Sequence, residues 1–136
     1  MKTIGIEIES SKAVFFALSK ESTLITNITG NFKSLVISDI YDNSEIRNYQ
    51  STIFTFFDHL NPSYIAIVKR NHSGQQAASP ISFKIEGIIQ CYLQKEIEFV
   101  HPATINAFYK RHDFPIVVDY KYQTKAAQLA YFLLER

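Results

Sequence analysis

Apolar and polar positions alternate at the start of the chain. Ile4, Ile6 and Ile8 are separated by Thr3, Gly5, Glu7 and Glu9, the period-2 pattern of a β-strand with two unlike faces. Ala13 to Leu18 is apolar on both faces, as a central strand is, and Thr23 to Ile28 alternates again. The short polar stretches between them predict an antiparallel meander. Ser34 to Ile37 either continues the third strand past a bulge or forms a short extra one. The pattern then changes period. Asp42-Asn43-Ser44-Glu45 has the residues of a capping box, and Ile46, Tyr49, Ile53, Phe56, Phe57 and Leu60 recur at helical spacing until Asn61-Pro62. Tyr64 to Val68 reads as a buried parallel strand. After the polar stretch 70–79, Ser79-Pro80 predicts a helix start, with Ile81, Ile85, Ile88, Ile89 and Tyr92 as its inner stripe. On that reading Gly87 lets this helix sit close to the sheet and Cys91 packs inside. Glu96 to Val100 predicts a further strand. His101-Pro102 opens a short helix with Ile105 and Phe108 inward, and a last helix starts near Asp119, carrying Tyr122, Ala126, Leu129 and Leu133 inward.

Composition narrows the function classes. The 136 residues suffice for one domain with its own core, 46% of them hydrophobic, so 1–136 is expected to be a single unit. A formal net charge of +1 excludes a broadly basic nucleic-acid binder and requires any such surface to be local. The single cysteine, Cys91, excludes an intramolecular disulfide and fits a reducing, cytoplasmic setting. The acids at 7 and 9 make a poor signal peptide, and no apolar run approaches membrane-spanning length. The expected protein is soluble, with no membrane partner.

The element order β-β-β-α-β-α-β-α-α is the ribonuclease H-like layout. Ile4-Gly5-Ile6-Glu7 resembles the first catalytic strand of Holliday-junction resolvases of the RuvC type, an apolar–Gly–apolar–acid run. More closely, the whole chain resembles a bacterial family known as domain of unknown function 3010. Between Gly74 and Gln90, residues Ala77, Ile81, Ser82, Phe83, Lys84, Ile85, Glu86, Ile89 and Gln90 fit that family's glycine-alanine loop and its apolar–x–Phe–Lys–apolar–Glu helix. Gln123, Ala126 and Ala130-Tyr131 suit its terminal helix. The resemblance implies an α/β fold: a mixed five-stranded sheet of order 3-2-1-4-5 with helices on both faces.

Resolvases of this fold cleave phosphodiesters with two hard cations held about 4 Å apart by converging carboxylates. The resemblance implies acids on the first strand, at the end of the fourth and in the last helix. Glu7 fills the first position. Lys69 stands where the second is expected, and an ammonium repels a metal ion. Gln123, Thr124 and Lys125 open the last helix, which has no acid inside it, while Asp119 is a candidate acid or simply an N-cap. Glu7 is then either a metal ligand or the partner of Lys69 or Lys125, and Glu86 either faces the site or pairs with Lys84 or Arg70. The catalytic candidates are Glu7, Glu86 and Asp119. The loop leaving the fourth strand lies where open α/β sheets bind ligands. With its surroundings it gives the nucleic-acid-binding candidates Lys69, Arg70, His72, Gln75, Gln76, Lys84 and Lys125. The four histidines show no metal-ligand spacing and have no cysteine beside them. The expectation is a nucleic-acid-associated protein with a degenerate metal site, binding DNA or RNA weakly and holding no metal or other cofactor. Two alternatives stand beside it: an active nuclease using Mg²⁺ through Glu7 and non-standard acids, and a small interaction module. A homodimer is compatible with each.

Overall fold

A computed structural model describes residues 1–70 and 79–136. The first strand, β1 (Lys2–Glu9), lies at the middle of the sheet. On one side it pairs antiparallel with β2 (Lys12–Glu21), which pairs in turn with β3 (Leu24–Asn27). On the other side it pairs in parallel with β5 (Tyr64–Val68), which carries β6 (Ile97–Val100), also parallel. The path β3-β2-β1-β5-β6 is the expected order of segments. It differs in one detail, a sixth strand, β4 (Ser34–Val36), which shares the outer edge of β2 with β3.

Residues 28–33 separate those two edge strands and turn through Gly30, whose φ of 63° favours glycine. Within this excursion Thr29 is buried, and its hydroxyl accepts from the Ala17 N–H at 2.9 Å. A side chain thus does the pairing that a strand backbone would have done. Phe32 packs on Phe15 and Phe56, with ring centroids 4.9 and 4.4 Å away.

The alternation in β1 divides the core. Ile4, Ile6 and Ile8 are fully buried against α1 (Asn43–Leu60) and α2 (Pro80–Gln90), together with Tyr49, Ile53, Phe57, Ile85 and Ile89. The opposite face packs on α3 (Pro102–Tyr109) and α4 (Thr124–Glu135), through Val14, Phe16, Ala66, Ala126, Leu129 and Ala130. Gly5 lies on that second face. A Cβ there would stand 2.1 Å from the Ala126 carbonyl oxygen and 2.6 Å from the Ala130 nitrogen. The missing side chain is what lets α4 rest backbone to backbone on the sheet, and the Thr3 hydroxyl fixes it by donating to the Ala130 carbonyl at 2.8 Å.

The helix ends follow the chemistry of their sequences with three exceptions. Asp42 caps α1 by accepting from the Ser44 and Glu45 N–H groups, and Ser79 caps α2. The capping box of α1 is only half formed, because Glu45 accepts from the Ser38 and Asp39 N–H groups instead of reaching back to Asp42. Gly87 is exposed with open space around it and Cys91 is exposed, so neither helps α2 pack. The last helix starts later than Asp119. Tyr120 is extended, a 3-10 turn spans Lys121–Gln123, and α4 begins at Thr124. Among the described residues no helix is long and apolar enough to cross a membrane.

Candidate functional site

Face parity decides which side chains meet beside Glu7. The ladder aligns Gly5 with Ala66 and Ile6 with Ile67, and Ala66 faces α4. Two residues further along each strand, Glu7 and Val68 share that face, and Arg70 follows them. Lys69 has the opposite parity. It is not Glu7's neighbour; its Nζ lies 3.5 Å from His101 Nε2. The strand position level with Glu7 therefore holds Val68, a side chain packed on the α3–α4 cluster.

Above this end of the sheet, α4 and the turn before it close a cleft of about 530 Å³. Its walls are Glu7, Glu9, Arg70, Lys121, Tyr122, Thr124, Lys125 and Gln128. Lys125 and Gln128 stand three apart on α4, hence on one face of it. Lys125 Nζ is 3.6 Å from Glu7 Oε2, with the Lys125 side chain 70% exposed and that of Glu7 only 13%. A loose pair of that kind contributes little to stability, but it places an ammonium inside the cleft. Burial pushes the Glu7 carboxyl above its ordinary pKa, the neighbouring Glu9 pushes the same way, and Lys125 and Arg70 oppose them. Glu86 is buried on α2, and burial raises it too, against the pull of Arg70. The Arg70 guanidinium thus acts on both carboxylates, the half-buried Glu7 and the buried Glu86.

The remaining candidates are dispersed. Lys84 donates to the Ile40 carbonyl and lies over the Tyr41 ring, 5.5 Å from its centroid. Asp119 is exposed, neither caps α4 nor lines the cleft. His72, Gln75 and Gln76 lie outside the described residues. Lys121, Tyr122 and Gln128 are wall residues that the sequence reading did not single out for the site; once α4 is placed over Gly5, the i, i+3 spacing from Lys125 points to Gln128.

A family model described as "Protein of unknown function (DUF3010)" matches residues 1–133. The chain belongs to the DUF3010 family. No curated protein matches it in sequence. Among solved structures it is similar to RuvC from Thermus thermophilus, at a TM-score of 0.75 and 9% identity over 96% of this chain and 91% of that one. The same enzyme in complex with Holliday junction substrate gives 0.70 and 9% identity, over 96% and 90%. The yeast mitochondrial Holliday junction resolvase Ydc2 gives 0.52 and 12% identity, over 79% of this chain and 53% of that one. The DUF3010 chain therefore has the RuvC-like, ribonuclease H-like fold. Identities this low carry the fold and leave the chemistry to its own residues.

Those residues do not fit a two-metal centre. The α4 positions reaching the cleft are a threonine, a lysine and a glutamine, and the chain leaving β5 supplies an arginine, with Val68 packed on the α3–α4 cluster before it. Among the described residues no three of His, Cys, Asp and Glu are grouped to hold an ion. Two carboxylates, one of them paired with Lys125, facing three cations make a mixed surface with a net positive charge that suits anionic oxygens.

Proposed function

We propose that this protein binds nucleic acid through the Glu7 cleft without cleaving it. The observation that carries this reading is the pair of cations, Lys125 and Arg70, standing beside Glu7 where hydrolysis on this fold would need carboxylates. A phosphate held by an ammonium and a guanidinium is bound and oriented, but nothing there activates water or stabilises a leaving oxygen as a metal pair would. The likeness to a resolvase bound to a Holliday junction supports branched DNA as the first substrate class to try.

The test is binding of a labelled four-way junction, the matching duplex and single strand, and RNA, over a range of salt. Binding should weaken steeply with salt, because the affinity comes from phosphate neutralisation. Arg70→Ala and Lys125→Ala should each flatten the salt slope by about one unit. Glu7→Gln should tighten binding, since it removes a negative charge from the cleft. With Mg²⁺ or Mn²⁺ added the junction should stay intact. Cleavage that disappears in Glu7→Gln would make the protein an active nuclease. Absence of binding to every probe at low salt would leave an interaction module.

A further inference from the structure

One feature beside the cleft has the build of a ligand site. Tyr120 and Tyr122 stack with ring centroids 5.6 Å apart and planes 11° from parallel. Tyr120 is 55% exposed, so part of its ring is open to a ligand. Tyr122 is half-buried, packs on the core beneath α4 and forms part of the cleft wall. Lys12 holds its ammonium 4.5 Å from the Tyr122 centroid, and Lys121, between the two tyrosines in sequence, lines the cleft.

The backbone under these rings is fixed. The Tyr120 N–H donates to Gln123 Oε1 at 3.1 Å, and the Gln123 N–H donates to the Tyr120 carbonyl at 3.0 Å. The Thr124 hydroxyl closes the next turn on the Lys121 carbonyl at 2.8 Å. Gln123 itself is fully buried. A ligand therefore meets rings that need little further ordering, which removes much of the usual entropic cost of binding.

We infer that Tyr120 and Tyr122 form a stacking platform for an unpaired nucleobase, while the adjacent cations hold the flanking phosphates. This inference rests on the reading that the cleft binds nucleic acid, and it names the substrate class: strands with bases free of pairing. Aromatic faces interleaved with cations are what single-stranded recognition requires, since every base offers a π-face and every nucleotide a charge. The two lysines beside the rings, Lys12 and Lys121, argue against an apolar peptide as the occupant. A continuous duplex keeps its base faces stacked on one another, so it gains only the phosphate contacts.

The experiment compares a gapped duplex, with a few unpaired bases, against the fully paired duplex of equal length. The gap carries 2-aminopurine, whose fluorescence is quenched by stacking and is free of interference because the chain has no tryptophan. The protein should quench the probe and prefer the gapped duplex. Tyr120→Ala should lose on the order of tenfold in affinity for the gapped duplex and little for the paired one. Tyr120→Leu, which keeps apolar bulk without a π-face, should behave like Tyr120→Ala, and Tyr120→Phe like the parent. Unchanged thermal melts would show that the variants fold. Binding that persists with no quenching, or that weakens equally on both probes in Tyr120→Ala, overturns the platform and leaves phosphate binding standing. Failure of the parent to bind the gapped duplex at low salt overturns the platform, and the nucleic-acid reading falls with it only if the junction, single strand and RNA also go unbound.

Discussion

Burial and Lys125 pull the Glu7 carboxyl in opposite directions, and burial prevails. The folded protein then holds the Glu7 proton more tightly than the unfolded chain, where the ordinary value of 4.5 applies. Stability should decline as pH rises from 4.5 through the raised folded value, then level off, because the unfolded chain releases its proton first. Glu86 contributes in the same direction. Glu7→Gln should remove part of that slope, gaining on the parent as pH rises and matching it under acid conditions. Urea midpoints of both proteins measured from acid to neutral pH check this; a Glu7→Gln variant that loses ground to the parent as pH rises would mean that Lys125 outweighs burial. At this scale the sequence was partly legible. Glu7 declared itself as an acid on an apolar strand, and Lys125 as one of its two available cationic partners. The choice between them was hidden, because it depends on which face each residue takes where β5 runs out, and alternation along Tyr64 to Val68 alone does not say where the strand ends.

Helix α4 is the element that makes the cleft, and its seat is Gly5. Gly5→Ala would drive a methyl group into the Ala126 and Ala130 backbone, where no side-chain rotation relieves it. Overpacking of this kind costs roughly 1–3 kcal/mol, and relief requires α4 to lift. Chemical denaturation should show the loss. Because Lys125 rides on α4, the same variant should also weaken nucleic-acid binding more than a surface substitution does. A variant with unchanged stability would show that α4 is not held by this contact. Most elements were readable from period and caps: the strands from alternation, α1 from Asp42, α2 from Ser79-Pro80. The start of α4 was not. Asp119 has the chemistry of a cap, yet Gln123 takes the Tyr120 N–H and winds the chain into a 3-10 turn first. Gly87 misled for the converse reason: helical spacing placed it beside the buried stripe, but the α2 surface it occupies faces open space.

As a whole molecule the chain keeps the layout of RuvC with 9% of its residues in common. What persists is a pattern, apolar alternation around a glycine and two layers of helices, which many sequences satisfy. That is why the fold was legible and the cleft only in part, since the cleft depends on single side chains brought together from β1, β5 and α4. The broken outer edge of β2 has a consequence for how this protein tolerates its own concentration. An open sheet ends in unpaired backbone groups that invite another strand to add on, the first step toward aggregation. Here that border never runs straight for more than the four residues of β3 before the Thr29 excursion interrupts it, although Leu24 and Val36 leave apolar side chains exposed along it, at 67% and 57%. Removing Gly30 and Asn31 would shorten the excursion and bring β3 and β4 toward one continuous border. Light scattering should then detect strand-rich aggregates at concentrations where the parent stays dispersed, and a shortened variant that stays equally dispersed would mean that the interruption gives no such protection.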